Sequence, residues 1–576
     1  MYPSLPAGST APIAPTWSSA AIPSAPSSLS KGLPTSSNQV GANCCGGTNR
    51  GMAYAKATVN GVLTGLIIYN LLDGHTVAVN AHTGALVWNT KIANTGLGIT
   101  TSGQAVVTGD NGQVILGTSS GEMGTRGYVV ALDLATGAPV WTNCGPTTTD
   151  GKCYTTGPDA DVGIVSGTQY PFPNKDKGTD LGKSSWPATT QSVPSYLLGG
   201  SSVWSYLTYD SDNDYVLYGT SQPGVWNPDL RPGDNKWGAS IFARKVSNVD
   251  KGNGFTAGQV AWVYQVVQHD HWDFDAVAEI LPVNLPIAVT PSLLDTSKSS
   301  SSVAVQFNKN GFVYTFDRKT GTLISADQFK SQNWAPGGID THTNPTDTSK
   351  TLNTAGLPLL TDGTPATSAT DSTGKVITGS NPMYNHTDQW GPTVCPSPLG
   401  AHGWEPSSYS PKVYGASSSG LFFVPTFNFC ASIAVAKAQF ISGAPYMGMD
   451  MSLTLQPGAT GAGTLMAWDL YNHKPAWKVE ESYSIYGGIL STAGDLVFYT
   501  TLDKSLKAVN AGTGAALFKA NMACSSVGNP MTFSDAGQQF VAVYSGIAKS
   551  TGMMATDKGA CSDAATKGDL IYIYGL

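Results

Sequence analysis

The stretch AVNAHTGALVW at residues 78–88 returns in altered form as ALDLATGAPVW at 131–141, TFDRKTGTL at 315–323, AWDLYNHKPAW at 467–477 and AVNAGTGAALF at 508–518. Asp or Asn followed by Thr-Gly is turn chemistry, and the flanks are strand-like, so each copy reads as two strands joined by a tight turn. Four of the five copies end on an aromatic residue, which can wedge between neighbouring sheets. Repeats too small to bury their own apolar faces must stack on one another, which predicts an all-β propeller. QVILG, YVVAL, DYVLYG, GLFFVP and DLVFYT supply further strands near the copies. No helix-length amphipathic period stands out.

Radial repetition also answers the length, because 576 residues exceed one ordinary core whereas a ring grows by adding blades. Charged residues make up only 12%, and 66 glycines with 35 prolines suit short strands and many turns. A net charge of −7 gives no basic footprint for nucleic acid or an anionic membrane, so neither partner is expected. No run of eighteen apolar residues predicts a membrane span. Residues 1–40, rich in Pro, Ser and Ala, read as an N-terminal arm without a visible signal peptide, 41–576 as the propeller, and 339–392 as a long polar insertion. Eight cysteines fall as neighbouring pairs: Cys44 with Cys45, Cys144 with Cys153, Cys395 with Cys430, and Cys524 with Cys561. Zinc-ligand spacings and a haem-attachment motif are missing, so oxidation is the better account, and it places the chain in the periplasm or outside the cell.

Cys44 and Cys45 are adjacent, and a bond between them would be a strained, rigid ring fit to cap a flat cofactor; the alternative is that each thiol is buried or pairs elsewhere. The Asn49-Arg50-Gly51 run just downstream favours the ring. CCGGTNRGMAY (44–54) resembles the vicinal-cysteine segment of the dehydrogenases that use pyrroloquinoline quinone (PQQ) to oxidise methanol and other alcohols. GTSSGEMGTRGY (117–128), GGSSVWSY (199–206), WNPDLRPGDNKWGASIFAR (226–244) and HDHWDFDAVAE (269–279) continue the resemblance in the family's order. So do NKNGFVYTFDRKTG (308–321), CPSPLGAHGW (395–404) and YGGILSTAGDLVFYTTLD (486–503), until it covers about residues 40–576. It implies an eight-bladed propeller of W-shaped, four-stranded antiparallel sheets. The family's N-terminal strand region and its quinone-binding glutamate have no recognisable counterpart in residues 1–40.

The resemblance also assigns residues. Cys44 and Cys45 match the disulfide on one face of the quinone, and Trp204 the indole on the other, a placement that supplies π-contact at low entropic cost. Arg50, Thr101, Ser119 and Ser202 match contacts to the quinone's carboxylates and carbonyls, with Ser120 and Gly121 in the same loop; Thr101 aligns across a gap. Arg50 suits a carboxylate because its guanidinium is a planar fork. Asp273 matches the catalytic base, and Lys309 the cation that stabilises charge on the reduced quinone. Cys395–Cys430 resembles a family disulfide.

For the metal, Glu122 matches a ligand and Gln222 stands where an asparagine ligand is usual, with an amide oxygen that either coordinates or leaves the place to water. Asp275 replaces the alanine of calcium-dependent methanol dehydrogenases, as in lanthanide-dependent relatives. As a carboxylate ligand beside Glu122 and Asp273 it gives the ion three anionic groups and favours a trivalent charge, so the resemblance implies PQQ with a lanthanide rather than Ca²⁺. Gly403 replaces a quinone-contacting asparagine, followed by Trp404, and Tyr486 replaces a tryptophan, which together predict a substrate larger than methanol. The expected reaction is oxidation of an alcohol by hydride transfer to PQQ, with electrons passed to an external acceptor, cytochrome c by the family pattern. The rivals are a quinoprotein acting on sugars, polyols or polymeric alcohols, which would share every cofactor residue, and a non-enzymatic propeller scaffold, which would need none of them.

Overall fold

The repeated turn forms as its residues dictate. Asp133 Oδ1 accepts from the N–H of Ala135 (3.1 Å) and Thr136 (2.9 Å), and Asn80 Oδ1 does the same for His82 (2.9 Å) and Thr83 (3.0 Å). The glycine that ends the turn, at Gly84, Gly137, Gly321 and Gly514, has φ of 70–71°, a conformation that costs a side-chain-bearing residue free energy. A Cβ at Gly321 would also lie 2.4 Å from the Trp262 ring.

That close approach is the second device in the repeat. The Trp88 indole donates to Leu134 O (2.9 Å), Trp141 to Val246 O (2.9 Å), Trp262 to Arg318 O (3.1 Å) and Trp477 to Ala511 O (2.9 Å). In each case the indole is packed and hydrogen-bonded to the following sheet, so one side chain joins two sheets with its polar atom satisfied. Two further junctions keep the direction with other chemistry: Asp327 meets His473 Nδ1 at 2.9 Å, and Phe518 meets Tyr574 with ring centres 6.0 Å apart.

The computed structural model describes residues 49–575 apart from 102, 142–143, 145–150, 161–163, 170–180, 187, 253, 290–299, 342–356, 363, 365, 367–390, 415–418 and 547–569. Blade one comprises Ala53–Val59, Val62–Asn70, His75–Asn80 and Leu86–Lys91, and blade two Val106–Val107, Gln113–Gly117, Tyr128–Asp133 and Cys153–Tyr154. Leu207–Asp210, Tyr215–Gly219, Ser240–Lys245 and Val260–Gln265 make blade three, with Ile164–Gln169 added in parallel outside. Blade four is Leu281–Val289, Ser300–Phe307, Phe312–Asp317 and Leu323–Gln328. In blade five (Ser408–Ser410, Leu421–Phe427, Gly463–Asp469, Lys474–Glu481) a hairpin, Phe429–Val435 with Met449–Leu455, stands between the second and third strands. Leu490–Ser491, Leu496–Thr501, Ser505–Asn510 and Ala516–Asn521 form blade six, and Met531–Asp535, Gln538–Ser545 and Leu570–Gly575 form blade seven.

The propeller therefore has seven blades, not the eight that the resemblance implied, and the seventh has three strands. The five turn copies do not count blades, because blade three has no copy and blade seven none either. The strands that would make an eighth sheet have no counterpart among the described residues. Buried clusters join blades one to two, two to three, three to four, four to five, five to six and six to seven, and none among the described residues joins seven to one.

Cys144–Cys153 and Cys395–Cys430 are bonded as expected. Cys524 is disulfide-bonded too, while its expected partner Cys561 lies outside the described residues, as do Cys44, Cys45 and the arm at 1–40. Of the 339–392 insertion, Pro358–Leu359 is described, paired with Gly338–Ile339 at its start.

The alternation of strand direction has a functional consequence. In an up-and-down blade the turns after strands one and three lie at one end, and the turn after strand two and the link to the next blade lie at the other. Four of the five Thr-Gly-type turns join strands three and four and mark the first end. Every candidate site residue among the described ones lies on a strand-two-to-three turn or on a segment leading into a blade, and so at the opposite end.

Candidate active site

Glu122 sits on the short 3₁₀ turn Gly121–Met123 of blade two. A Cβ at Gly121 would lie 3.0 Å from Gln222 Nε2 and 3.2 Å from Ser221 Oγ, so the glycine lets the blade-three turn close on the blade-two turn. Gln222 Nε2 donates to Glu122 Oε1 at 3.1 Å, and its own Oε1 is buried without a partner. Tyr446, from the blade-five hairpin, donates its N–H to Glu122 O at 2.6 Å.

Asp273 and Asp275 stand on the segment between blades three and four. Asp270 shapes it by accepting from Trp272 N (2.9 Å) and Phe274 N (2.8 Å), while Trp272 and Phe274 pack on Trp334 with ring centres 5.5 and 5.7 Å away. Anchored on both sides, Asp273 is held at φ +62°, in the left-handed region where a side-chain-bearing residue is strained. Lys309, from the blade-four turn, donates to Asp273 O (2.7 Å) and Oδ2 (3.0 Å) and lies 3.5 Å from Asp275 Oδ2. Asp275 Oδ2 also accepts from the Trp204 indole at 3.2 Å, and Oδ1 from the N–H of Gln222.

The electrostatics follow from the count of charges. Burial, then the neighbouring Asp275, holds the Asp273 carboxyl well above the usual carboxylate range, against the pull of Lys309. Burial raises Asp275 and Glu122 as well, and Asp275 adds to the rise at Glu122. Burial would lower Lys309, yet Asp273 and Asp275 together raise it, so it stays charged. Three desolvated carboxylates thus share one ammonium. A site with that imbalance and an orphaned buried amide oxygen fits a bound cation. As the side chains stand, Lys309 bridges Asp273 and Asp275, and among the described residues no three acidic, imidazole or thiol groups converge on a single point.

The cofactor-side residues gather nearby. The Arg50 guanidinium lies 4.4 Å from the Trp204 ring centre and 5.2 Å from that of Trp404, so these two indoles accept a flat group against them. Tyr206 donates to Arg50 O (3.2 Å) and accepts from Asn529 (2.9 Å), tying the entry to blade three to the segment before blade seven. Ser202 N donates to Ser221 Oγ (2.8 Å), with the Ser202 hydroxyl 3.1 Å from the same oxygen. Ser120 Oγ accepts from Thr125 (3.1 Å), Ser119 pairs its backbone with Thr100, and the Thr101 hydroxyl donates to Leu71 O (2.7 Å). The carboxylate-lysine group and the Arg50–Trp204–Trp404 group meet at the Trp204–Asp275 hydrogen bond. Thr101 is turned to the blade-one loop. Gly403 lies next to Glu405 rather than to any predicted site residue other than Trp404, and Tyr486 packs edge-on against Trp404 at 5.8 Å.

Sequence reasoning gave no role to Asp270, which organises the base-bearing segment, nor to Glu279, His402 and Glu405, which form a second buried charged group beside Trp404. The signal available was scarcity: in a chain with so few charges, an acid between Trp404 and Pro406 stands out.

Comparison with known proteins bears on the family and the fold. The family described as "Glucose/ethanol/alcohol dehydrogenase, beta-propeller domain" matches residues 174–451 and 455–541, and a second, named for the outer membrane assembly factor BamB, matches 50–154. The lanthanide-dependent methanol dehydrogenase of Methylorubrum extorquens is 33% identical over 88% of this chain and 72% of that relative. The putative dehydrogenase XoxF of Paracoccus denitrificans is 32% identical over 88% of this chain and 73% of its own length. A europium-containing methanol dehydrogenase structure superposes with a TM-score of 0.73 at 30% identity, covering 94% of this chain and 84% of the other. Fold and site define a quinoprotein dehydrogenase. The chain belongs to the family of PQQ-dependent alcohol dehydrogenases.

Proposed function

We propose that the alcohol is oxidised at the Asp273–Lys309 pair, with a lanthanide as the metal and a one-electron protein acceptor, cytochrome c, taking the electrons. The observation that carries this reading is the set of three buried carboxylates, Glu122, Asp273 and Asp275, opposed by Lys309 alone. When bound, PQQ supplies a two-electron hydride acceptor and the metal a Lewis acid. Asp273 takes the hydroxyl proton of the alcohol, and its raised proton affinity brings it toward the range where a general base is effective. Lys309 fixes that carboxylate through two hydrogen bonds, one to the backbone and one to the side chain, so its orientation is set before substrate arrives. Glu122, Asp273, Asp275 and the free oxygen of Gln222 would hold the metal, and Trp204, Arg50 and Trp404, with Ser119, Ser120, Gly121 and Ser202, would hold the quinone.

Three negative ligands balance a trivalent ion and over-compensate a divalent one, which favours the lanthanide. Two relatives named as lanthanide-dependent support it; others are named as methanol dehydrogenase [cytochrome c], which supports the acceptor. Among the described residues no helix is long and apolar enough to cross a membrane, and the bonded cysteines support export to the periplasm or beyond. The test is reconstitution of metal-free protein with PQQ and either La³⁺ or Ca²⁺, assayed on a series of alcohols with an artificial acceptor. Higher turnover with La³⁺ is expected, with alcohols larger than methanol oxidised; equal or higher turnover with Ca²⁺ rejects the metal.

A further inference from the structure

Beside Trp404 three ionisable groups are packed together away from solvent: His402 is 0% exposed, Glu405 1% and Glu279 7%. His402 donates from Nδ1 to Pro425 O (2.8 Å), and its Nε2 faces Glu279 Oε2 and the Ser407 hydroxyl, each at 3.4 Å. Ser407 N donates to Glu279 Oε1 at 2.7 Å. Tyr206 spends its hydroxyl on Arg50 O and Asn529. Glu405 is different: neither carboxyl oxygen meets a side-chain donor, and only the backbone N–H groups of Gly403 and of Glu405 itself act on it by hydrogen bonding.

A fully buried carboxyl that meets no side-chain donor costs free energy and calls for an explanation. Its neighbours give one by their positions. The residue before it, Trp404, packs on Arg50, and the residue before that is a glycine whose missing Cβ would lie 2.8 Å from Glu405 Oε2. Gly400, in the same loop, has its Cβ direction 2.5 Å from Lys309 Cγ. Glu405 thus stands against Gly403, next to the Trp404 that packs on Arg50, in the loop that Gly400 lays on Lys309.

We propose that Glu405 is a further cofactor-binding residue, and that as a neutral carboxylic acid it donates a hydrogen bond to an oxygen of the bound quinone through the gap left by Gly403. The inference rests on the PQQ reading of the site. Burial, eased in part by His402, pushes the Glu405 carboxyl up to about 7, so the donor form persists well above the usual glutamate range. Three titratable groups face it: His402, Glu279 and Tyr206. Burial lowers the proton affinity of His402 but the two glutamates raise it above its ordinary value, and burial pushes Tyr206 up to about 12. Of these, Glu405 is the acid whose donor form is lost near neutrality.

The experiment is titration of the metal-loaded, quinone-free protein with PQQ, read by quenching of tryptophan fluorescence and by the absorbance of the bound quinone, from pH 5.5 to 8.5. Glu405→Gln keeps an N–H donor of similar shape and should bind within about threefold of the parent. Glu405→Leu should bind at least tenfold more weakly, with a shifted quinone spectrum. Parent affinity should fall as pH rises through about 7, and Glu405→Gln should not share that fall. If Glu405→Leu does not fold, the two pH profiles decide alone, and coincident profiles overturn the proposal. Parent-like binding and spectrum in Glu405→Leu, or Glu405→Gln as weak as Glu405→Leu, overturns it as well. Failure of the parent itself to bind PQQ would instead sink the quinoprotein reading.

Discussion

The two ends of the propeller are built to opposite rules. At the turn end, Asp and Asn side chains accept the N–H groups of their own turns, indoles donate to the next blade, and polar atoms are met within a few residues or one blade away. At the site end, carboxylates crowd together, Asp273 sits in a strained conformation, Gln222 Oε1 has no partner, and the Glu405 carboxyl meets no side-chain donor. One end is complete without a ligand, and the other is complete only with one. Stability should therefore depend mainly on the first and chemistry on the second, a division that mutation can break.

The largest effect is expected at Asp273. Asp273→Asn should lower turnover by about 10²- to 10⁴-fold, the usual share of a general base, while PQQ still binds. Retention of most of the rate in steady-state assays would move the base elsewhere. At the other end, Trp262→Ala removes a fully buried indole and its bond to Arg318 O, and should cost about 3–5 kcal/mol of stability by denaturant titration. Turnover per folded molecule should be unchanged; a matching loss of rate would mean that the two ends are not independent.

The pH dependence of stability separates the ends more finely. Between the ordinary glutamate value of 4.5 and about 7, the unfolded chain has released the Glu405 proton and the folded chain still holds it. Stability should therefore fall with rising pH across that window and level off above it, by on the order of 3 kcal/mol at most from this group. Glu405→Gln should lack that component in urea titrations run at successive pH values. Smallest is the change at Asp275. Asp275→Ala removes one negative group from the metal site and should narrow the La³⁺ over Ca²⁺ preference several-fold, with the loss falling on La³⁺; an unchanged activity ratio between the two ions would separate Asp275 from metal choice.

How much could be read from sequence follows the same division. The strands, the turn and the wedging aromatic were legible because each is written in about ten consecutive residues, and the structure adds only that the indole bonds the next turn. The number of blades was not legible, since no local feature of Ala78–Trp88 or its copies states how many neighbours complete the ring. At the site, Trp204, Asp273, Asp275 and Lys309 were legible as motif positions and do come together. The Glu279–His402–Glu405 group was not, because its meaning depends on partners far away in sequence, such as Ser407 at 128 residues from Glu279, and on the absence of a side-chain donor for Glu405.

The indole joint has polarity: from blades one, two, three and five it reaches forward to the next blade, and among the described residues none of these four reaches back. Such a head-to-tail joint is heterologous, like the contact between subunits that forms either a ring or an open filament depending only on the rotation per step. It specifies succession without specifying a total. A blade with its tryptophan and its turn is then a unit that can be gained or lost without inventing a new kind of contact, and ring size becomes a property of copy number and of the small angle between neighbours.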